Sequence, residues 1–236
     1  MSLNPWPDAI LLDLDGTLVD SAPDLAMAVD TMLTALGRPA AGVDRVRLWV
    51  GNGARKLIER ALAGTGDPQA DGNDGPQTPH SEALFQQARE AFFTAYRRCN
   101  GHSSKLYPGV AAFLREAKAR GSHLAVVTNK PAEFTGPLLK AMGIEGDFEA
   151  VISGDTLTDS DGEPVRKPDP APLREALRQL GIATEKALMV GDSRADMDAA
   201  RALGLPVAAV TYGYSQGTPV ALLGPDHVVD SLTELL

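Results

Sequence analysis

Short apolar runs alternate with longer stretches of helical spacing through most of the chain. Runs at 8–14, 123–128, 149–152, 187–190, 206–210 and 226–229 have the length and apolar character of buried strands. Between or after them, 109–120, 132–142, 170–180, 194–203 and 231–235 carry helical periodicity. Strands that alternate with helices predict an α/β fold with a Rossmann-like parallel sheet.

The interval between the first two strands breaks this rhythm. It is far too long for a simple crossover, and 21–99 is helical in pattern. Asp20 or Ser21 can cap a helix in which Leu25, Val29, Met32, Leu33 and Leu36 share a face, and Gly37 can stop it. Further helices fit 52–63 and 81–98. Gly64 to His80 is rich in Gly, Pro, Asp and Gln, and reads as a mobile loop. A helical unit is therefore expected as an insertion after the first strand.

Composition narrows the function. The chain has 236 residues, long enough for one large or two smaller domains, and 44% hydrophobic content supports a packed core. A net charge of −9 argues against nucleic acid and anionic membrane as partners. It leaves room for a small anionic substrate, because a metal and local cations can reverse the field inside one cleft. Cys99 is the single cysteine, so no intrachain disulfide forms, and an idle or buried thiol is expected. No run approaches the roughly 18 apolar residues of a membrane span. No basic and apolar leader opens the chain, so a cytoplasmic protein is expected, as monomer or homodimer.

Candidate chemistry concentrates where strands end. The first strand runs directly into Asp13 and Asp15, which alternation places on one side, and Gly16 then allows a sharp turn. Two carboxylates held together call for a cation between them, and hard oxygen ligands suit Mg²⁺. The second strand ends in Thr128 and Asn129; the fourth ends in Asp192, with Ser193 and Asp196 following. Lys167 stands between Val165-Arg166 and Pro168-Asp169-Pro170. Taken singly these residues have plain readings. Thr128 can be an ordinary strand residue, Lys167 a solvated lysine, and Asp192 or Ser193 a helix cap with acids in the first turn. Gly51-Asn52-Gly53-Ala54-Arg55-Lys56 offers backbone N–H groups and two cations to an anion, or is simply a loop, a helix start and a cationic face.

The segment Asp13-Leu14-Asp15-Gly16-Thr17, followed in order by Thr128, Lys167 and Gly191-Asp192, resembles the motif set of the haloacid dehalogenase superfamily over nearly the whole chain. The resemblance implies that Asp13 attacks phosphorus to give an aspartyl-phosphate, and that Asp15 acts as acid and then base. It implies that Thr128 and Lys167 stabilise the phosphoryl group. Asp13, the Asp15 carbonyl and Asp192 would hold Mg²⁺, while Asp196 would hold a water or steady the lysine. It further implies a core of residues 1–16 and 100–236 and an α-helical cap of 17–99, hinged near 17–21 and 98–106. Gly51-Asn52-Gly53-Ala54, Tyr107-Pro108-Gly109-Val110 and Gly191-Asp192-Ser193-Arg194 resemble phosphoglycolate phosphatases within that superfamily. Leu12 departs from them where Phe is frequent.

The expected activity is Mg²⁺-dependent hydrolysis of a small phosphate ester, 2-phosphoglycolate foremost, with Asn129, Arg55 and Lys56 assisting Thr128 and Lys167 in binding it. Pyrophosphate or another phosphate ester, a sugar-phosphate mutase, and a regulatory binding protein on the same fold are the alternatives. A dehalogenase would not need Asp15 and Asp192, and phosphonate cleavage would need Lys56 as an amine nucleophile. His80, His102, His123 and His227 lack metal-ligand spacing. Tyr212 to Gly217 forms a loop after the fifth strand that can line the cleft or contact a partner chain, with a connector as the plain reading.

Overall fold

The computed structural model describes residues 3–64 and 81–236. The loop expected at 64–80 lies, apart from Gly64, outside the described residues, as does His80. Strand β1 (Ala9–Leu12) leads through a turn to β2 (Val19–Asp20) and then to helices α1 (Ala22–Ala35), α2 (Val43–Trp49), α3 (Gly53–Ala63) and α4 (Glu82–Cys99). The chain returns through β3 (Lys105–Leu106), α5 (Val110–Ala119), β4 (His123–Val127), α6 (Ala132–Ala141) and β5 (Ala150–Ile152). It finishes with α7 (Ala171–Leu180), β6 (Ala187–Gly191), α8 (Arg194–Leu203), β7 (Val207–Val210) and β8 (His227–Val229).

Six strands form one sheet in the order β5-β4-β1-β6-β7-β8, and every pairing is parallel. Strand β1 sits between β4 and β6, with Leu12 opposite Val126 on one side and Val190 on the other. Alternation splits its side chains between two apolar layers: Ile10 and Leu12 pack with Phe113, Leu114 and Val126, and Ala9 and Leu11 with Leu173, Met189 and Met197. The ends of β1, β4 and β6 thus open side by side, where parallel sheets bind ligands.

Helices α1–α4 bury an apolar cluster of their own, built on Val29, Met32, Trp49, Ile58 and Phe92, with Phe134 and Tyr214 reaching in from the sheet side. Asp24, fully buried in the first turn of α1, accepts hydrogen bonds from the backbone N–H of Gly101, Ser103 and Ser104 and from the Ser104 hydroxyl at 2.5 Å. It ties the start of the helical insertion to its return segment. Cys99 is buried, with its thiol donating to the Asp24 carbonyl oxygen at 3.3 Å. No described helix is long and apolar enough to cross a membrane.

Three elements differ from expectation. Helix α2 went unpredicted, because only Val46 and Trp49 mark its buried face. The stretch 231–235 forms a short 3₁₀ turn, Leu232–Leu235, rather than an α-helix. The segments expected as hinges pair as a two-residue antiparallel ribbon, Val19 opposite Leu106 and Asp20 opposite Lys105.

Candidate active site

At the centre lies a buried triad of opposite charges. Lys167 Nζ is 2.9 Å from Asp13 Oδ1 and 2.6 Å from Asp196 Oδ1, and it donates to the Val127 carbonyl at 2.6 Å. Three acceptors satisfy the three protons of the ammonium. Burial alone would discharge Lys167, but the charges of Asp13 and Asp196 overcome it and hold the amine protonated. For Asp13 burial dominates the other way. Its carboxyl is pushed up to about 7 by desolvation, with Lys167 pulling down and Asp196 and Asp15 adding repulsion.

Asp196 sits in the first turn of α8 and is wholly committed. Its Oδ1 takes Lys167; its Oδ2 accepts from the N–H of Asp192 and of Ser193 and from the Ser193 hydroxyl. The same side chain closes the helix start and anchors the lysine.

Asp192 follows β6 and is held by one donor on each oxygen: the Thr17 hydroxyl on Oδ1 at 2.9 Å and the Tyr214 N–H on Oδ2 at 2.5 Å. A Cβ on Gly16 would fall 2.2 Å from Asp192 Oδ2, and one on Gly213 would fall 2.3 Å from its Cβ, so both positions need glycine. At Gly16 a φ of +91° requires it as well. Desolvation and the charges of Asp13 and Asp196 raise the Asp192 carboxyl well above the usual range.

Carboxylate oxygens of Asp13, Asp192 and Asp196 lie within 4.8 Å of one another, all buried. Since Asp196 is consumed by Lys167 and α8, Asp13 and Asp192 are the pair with lone pairs to spare. Two hard, buried anions facing each other fit a divalent cation with oxygen preference. The cradle of Gly16 and Gly213 leaves the Asp192 head close against the backbone.

Asp15 faces the cleft from the other side. It accepts the Ser21 hydroxyl at 2.5 Å, and Lys130 Nζ lies 3.1 and 3.2 Å from its two oxygens. Lys130 also donates to the Tyr96 hydroxyl on α4. Thr128 lines the same cleft; its oxygen accepts the Lys130 N–H at 3.2 Å, which leaves its own proton free to donate. Asn129 donates to the Lys167 carbonyl at 2.9 Å and so fixes the two loops against each other. Leu25, Val50, Leu57, Phe92 and Phe134 give the cleft apolar walls.

The structure thus gathers Asp13, Asp15, Thr128, Asn129, Lys167, Asp192 and Asp196. It does not bring Arg55 and Lys56 to the cleft. Both are exposed on α3 and pair with Glu59 at 2.9 and 3.2 Å, and the Arg55 guanidinium lies over the Phe85 ring. Gly51, Gly53 and Ala54 of that segment do line the cleft. Two residues escaped the sequence reading. Lys130 adjoins the Thr128-Asn129 pair but reads as an ordinary lysine until its burial is seen. Tyr214 corrects the connector reading of its loop: it is buried, its N–H holds Asp192, and its hydroxyl bonds Asp20 and the Ala22 N–H. Among the described histidines, His123 pairs with Glu149 on the surface.

Comparison with known proteins bears on this site. The sequence model of the haloacid dehalogenase-like hydrolases matches residues 7–204. The chain is 46% identical over 229 residues to the phosphoglycolate phosphatase of Nitrosococcus oceani, covering 97% of this chain and 95% of that protein. It is also 46% identical to phosphoglycolate phosphatase 1 of Pseudomonas aeruginosa, over 98% of this chain and 79% of that one. A crystal structure of a predicted phosphoglycolate phosphatase from Haemophilus somnus superimposes with a TM-score of 0.85 at 35% identity, covering 99% and 98% of the two chains.

Proposed function

The chain belongs to the haloacid dehalogenase-like hydrolases, and from that premise we propose that it is a Mg²⁺-dependent phosphomonoesterase that hydrolyses 2-phosphoglycolate. The observation that carries the reading is Asp13, set at the end of the central strand, bridged to Lys167, and sharing one cleft with Asp15 and Thr128. The substrate follows the relatives, which are named phosphoglycolate phosphatases over nearly the whole of this chain. An acidic protein acting on a small anion suits the cytoplasm.

Asp13 is the nucleophile: its free oxygen forms a bond to phosphorus as the ester P–O bond breaks. Lys167 fixes the attacking carboxylate and offers positive charge to the phosphoryl oxygens, while the Thr128 hydroxyl donates to another. Asp15 gives its proton to the departing alkoxide. It then takes one from the water that attacks phosphorus and releases Asp13 and inorganic phosphate. Asp13, Asp192 and the Asp15 carbonyl would hold Mg²⁺, which neutralises charge on the transferring group. Residues 17–99 act as a cap whose apolar wall excludes bulk water.

The test is phosphate release with Mg²⁺ and with EDTA across 2-phosphoglycolate, xylulose bisphosphate, other sugar phosphates and pyrophosphate. Sugar bisphosphates belong in the panel because the chain is 25% identical, with a TM-score of 0.74, to CbbY from Rhodobacter sphaeroides, solved as a mutant with xylulose-(1,5)bisphosphate. Mg²⁺-dependent release favouring 2-phosphoglycolate is expected, and Asp13→Asn is expected to lower kcat by at least about 10⁴, as loss of a nucleophile does. Preference for another ester would refute the substrate, and a fully active Asp13→Asn enzyme would refute the mechanism.

A further inference from the structure

2-Phosphoglycolate carries a second anion, a carboxylate one methylene away from the ester oxygen. The cleft must receive that charge without water. Among the described residues that line it, only Lys130 and Lys167 are cationic. Lys167 is fully engaged by Asp13, Asp196 and the Val127 carbonyl. Arg55 and Lys56 stand outside, paired with Glu59.

Lys130 is different. Its side chain is 4% exposed, its backbone is fixed by the Thr128 hydroxyl oxygen and by Gly154, whose N–H donates to the Lys130 carbonyl, and its Nζ reaches both Asp15 oxygens and the Tyr96 hydroxyl. The ammonium also lies 4.7 Å from the Tyr96 ring centroid. Asp15 is the group that must meet the ester oxygen. A cation in contact with Asp15 is therefore placed within reach of a charge one methylene beyond that oxygen.

Resting on the phosphatase reading above, we propose that Lys130 is the specificity residue: it receives the carboxylate of the substrate and exchanges its contact with Asp15 for that one. Esters without a nearby anion leave Lys130 on Asp15, so this one side chain reads the second charge of the substrate. Tyr96, on α4, gives the ammonium a neutral partner in either position; burial first, then the charge of Asp15, holds its phenol protonated. The substrate class is a short phosphate ester bearing a carboxylate next to the ester carbon.

The experiment compares kcat/KM for 2-phosphoglycolate and ethyl phosphate, which lacks the carboxylate, in the wild-type enzyme with Mg²⁺ and in Lys130→Met, Lys130→Gln and Lys130→Arg. Gln retains a donor for Asp15 and Tyr96 without the charge and guards against misfolding of the Met variant; circular dichroism checks both. The wild-type enzyme should favour 2-phosphoglycolate. In Lys130→Met and Lys130→Gln that preference should fall by roughly 10- to 100-fold, the weight of one charge-assisted hydrogen bond, with KM for 2-phosphoglycolate rising. Lys130→Arg should recover part of it. An unchanged preference, or equal losses on both esters, would overturn the assignment of Lys130 and leave the phosphatase reading intact. A wild-type enzyme with no preference for 2-phosphoglycolate would overturn both.

Discussion

At the scale of single residues, the active site is a problem of crowded negative charge. Asp13, Asp192 and Asp196 are buried together, and among the described residues Lys167 is the cation paired with them. In the metal-free protein the Asp13 carboxyl stands at about 7 against an ordinary value of 3.8. The folded state therefore binds more protons than the unfolded one between those values, and this group's contribution to stability falls as pH rises through that window. Asp13→Asn removes the slope. In EDTA the variant should melt above the parent at pH 8 by several degrees, at about 2–4 °C per kcal/mol for a chain of this size, and the two curves should converge only below about pH 4, where both states hold the proton. Added Mg²⁺ should raise the melting temperature of the parent and act much less on the variant. Melting curves in which Asp13→Asn is the less stable protein at pH 8 would refute this account.

At the scale of elements, the sheet was legible because each strand is a short apolar run bounded by polar residues, and Asp13, Thr128 and Asp192 stand at the ends of three such runs. The insertion was legible in α1, whose apolar face repeats over four turns, and poorly legible in α2, where two buried residues cannot establish a period. The β2–β3 ribbon is too short for alternation to show. Lys130 and Tyr214 were invisible for another reason. Their roles arise from burial against Asp15 and Asp192, which only the tertiary structure provides. The loop after β7 gives a sharp test. An Ala at Gly213 sets its Cβ 2.3 Å from Asp192 Cβ, so loop or carboxylate must move. Gly213→Ala should weaken Mg²⁺ binding by roughly 10- to 100-fold, as loss of a ligand's supporting contact does, while the far-ultraviolet spectrum stays unchanged. Calorimetric titration with Mg²⁺ reads the effect, and an unaltered affinity would count against Asp192 as a ligand.

At the scale of the whole molecule, two apolar assemblies meet along the cleft, and the chain passes between them twice, at 17–21 and 100–106. Asp24 fastens these passages by accepting four donors from the return segment. Asp24→Asn turns one acceptor into a donor facing other donors. It should destabilise the protein by about 3 kcal/mol, a fall of roughly 6–12 °C in Tm. A variant melting within a degree of the parent would show that Asp24 does not secure the junction.

Strand β1 pairs with β4 and β6, so Ala9 lies opposite His123 and Ala187. The strand that leads into Asp13 leaves the ribosome before the other strands of its sheet, yet neither flank of it can form until distant parts of the chain exist. During synthesis its row of apolar residues waits without partners, and closure of those long loops delays the sheet. A chain released before β6 has β1 paired on one flank at most, while α1–α4 already possess a core of their own. Interrupted translation should therefore yield a folded helical segment beside an unformed catalytic sheet, making strand β1 the portion most in need of a holding chaperone.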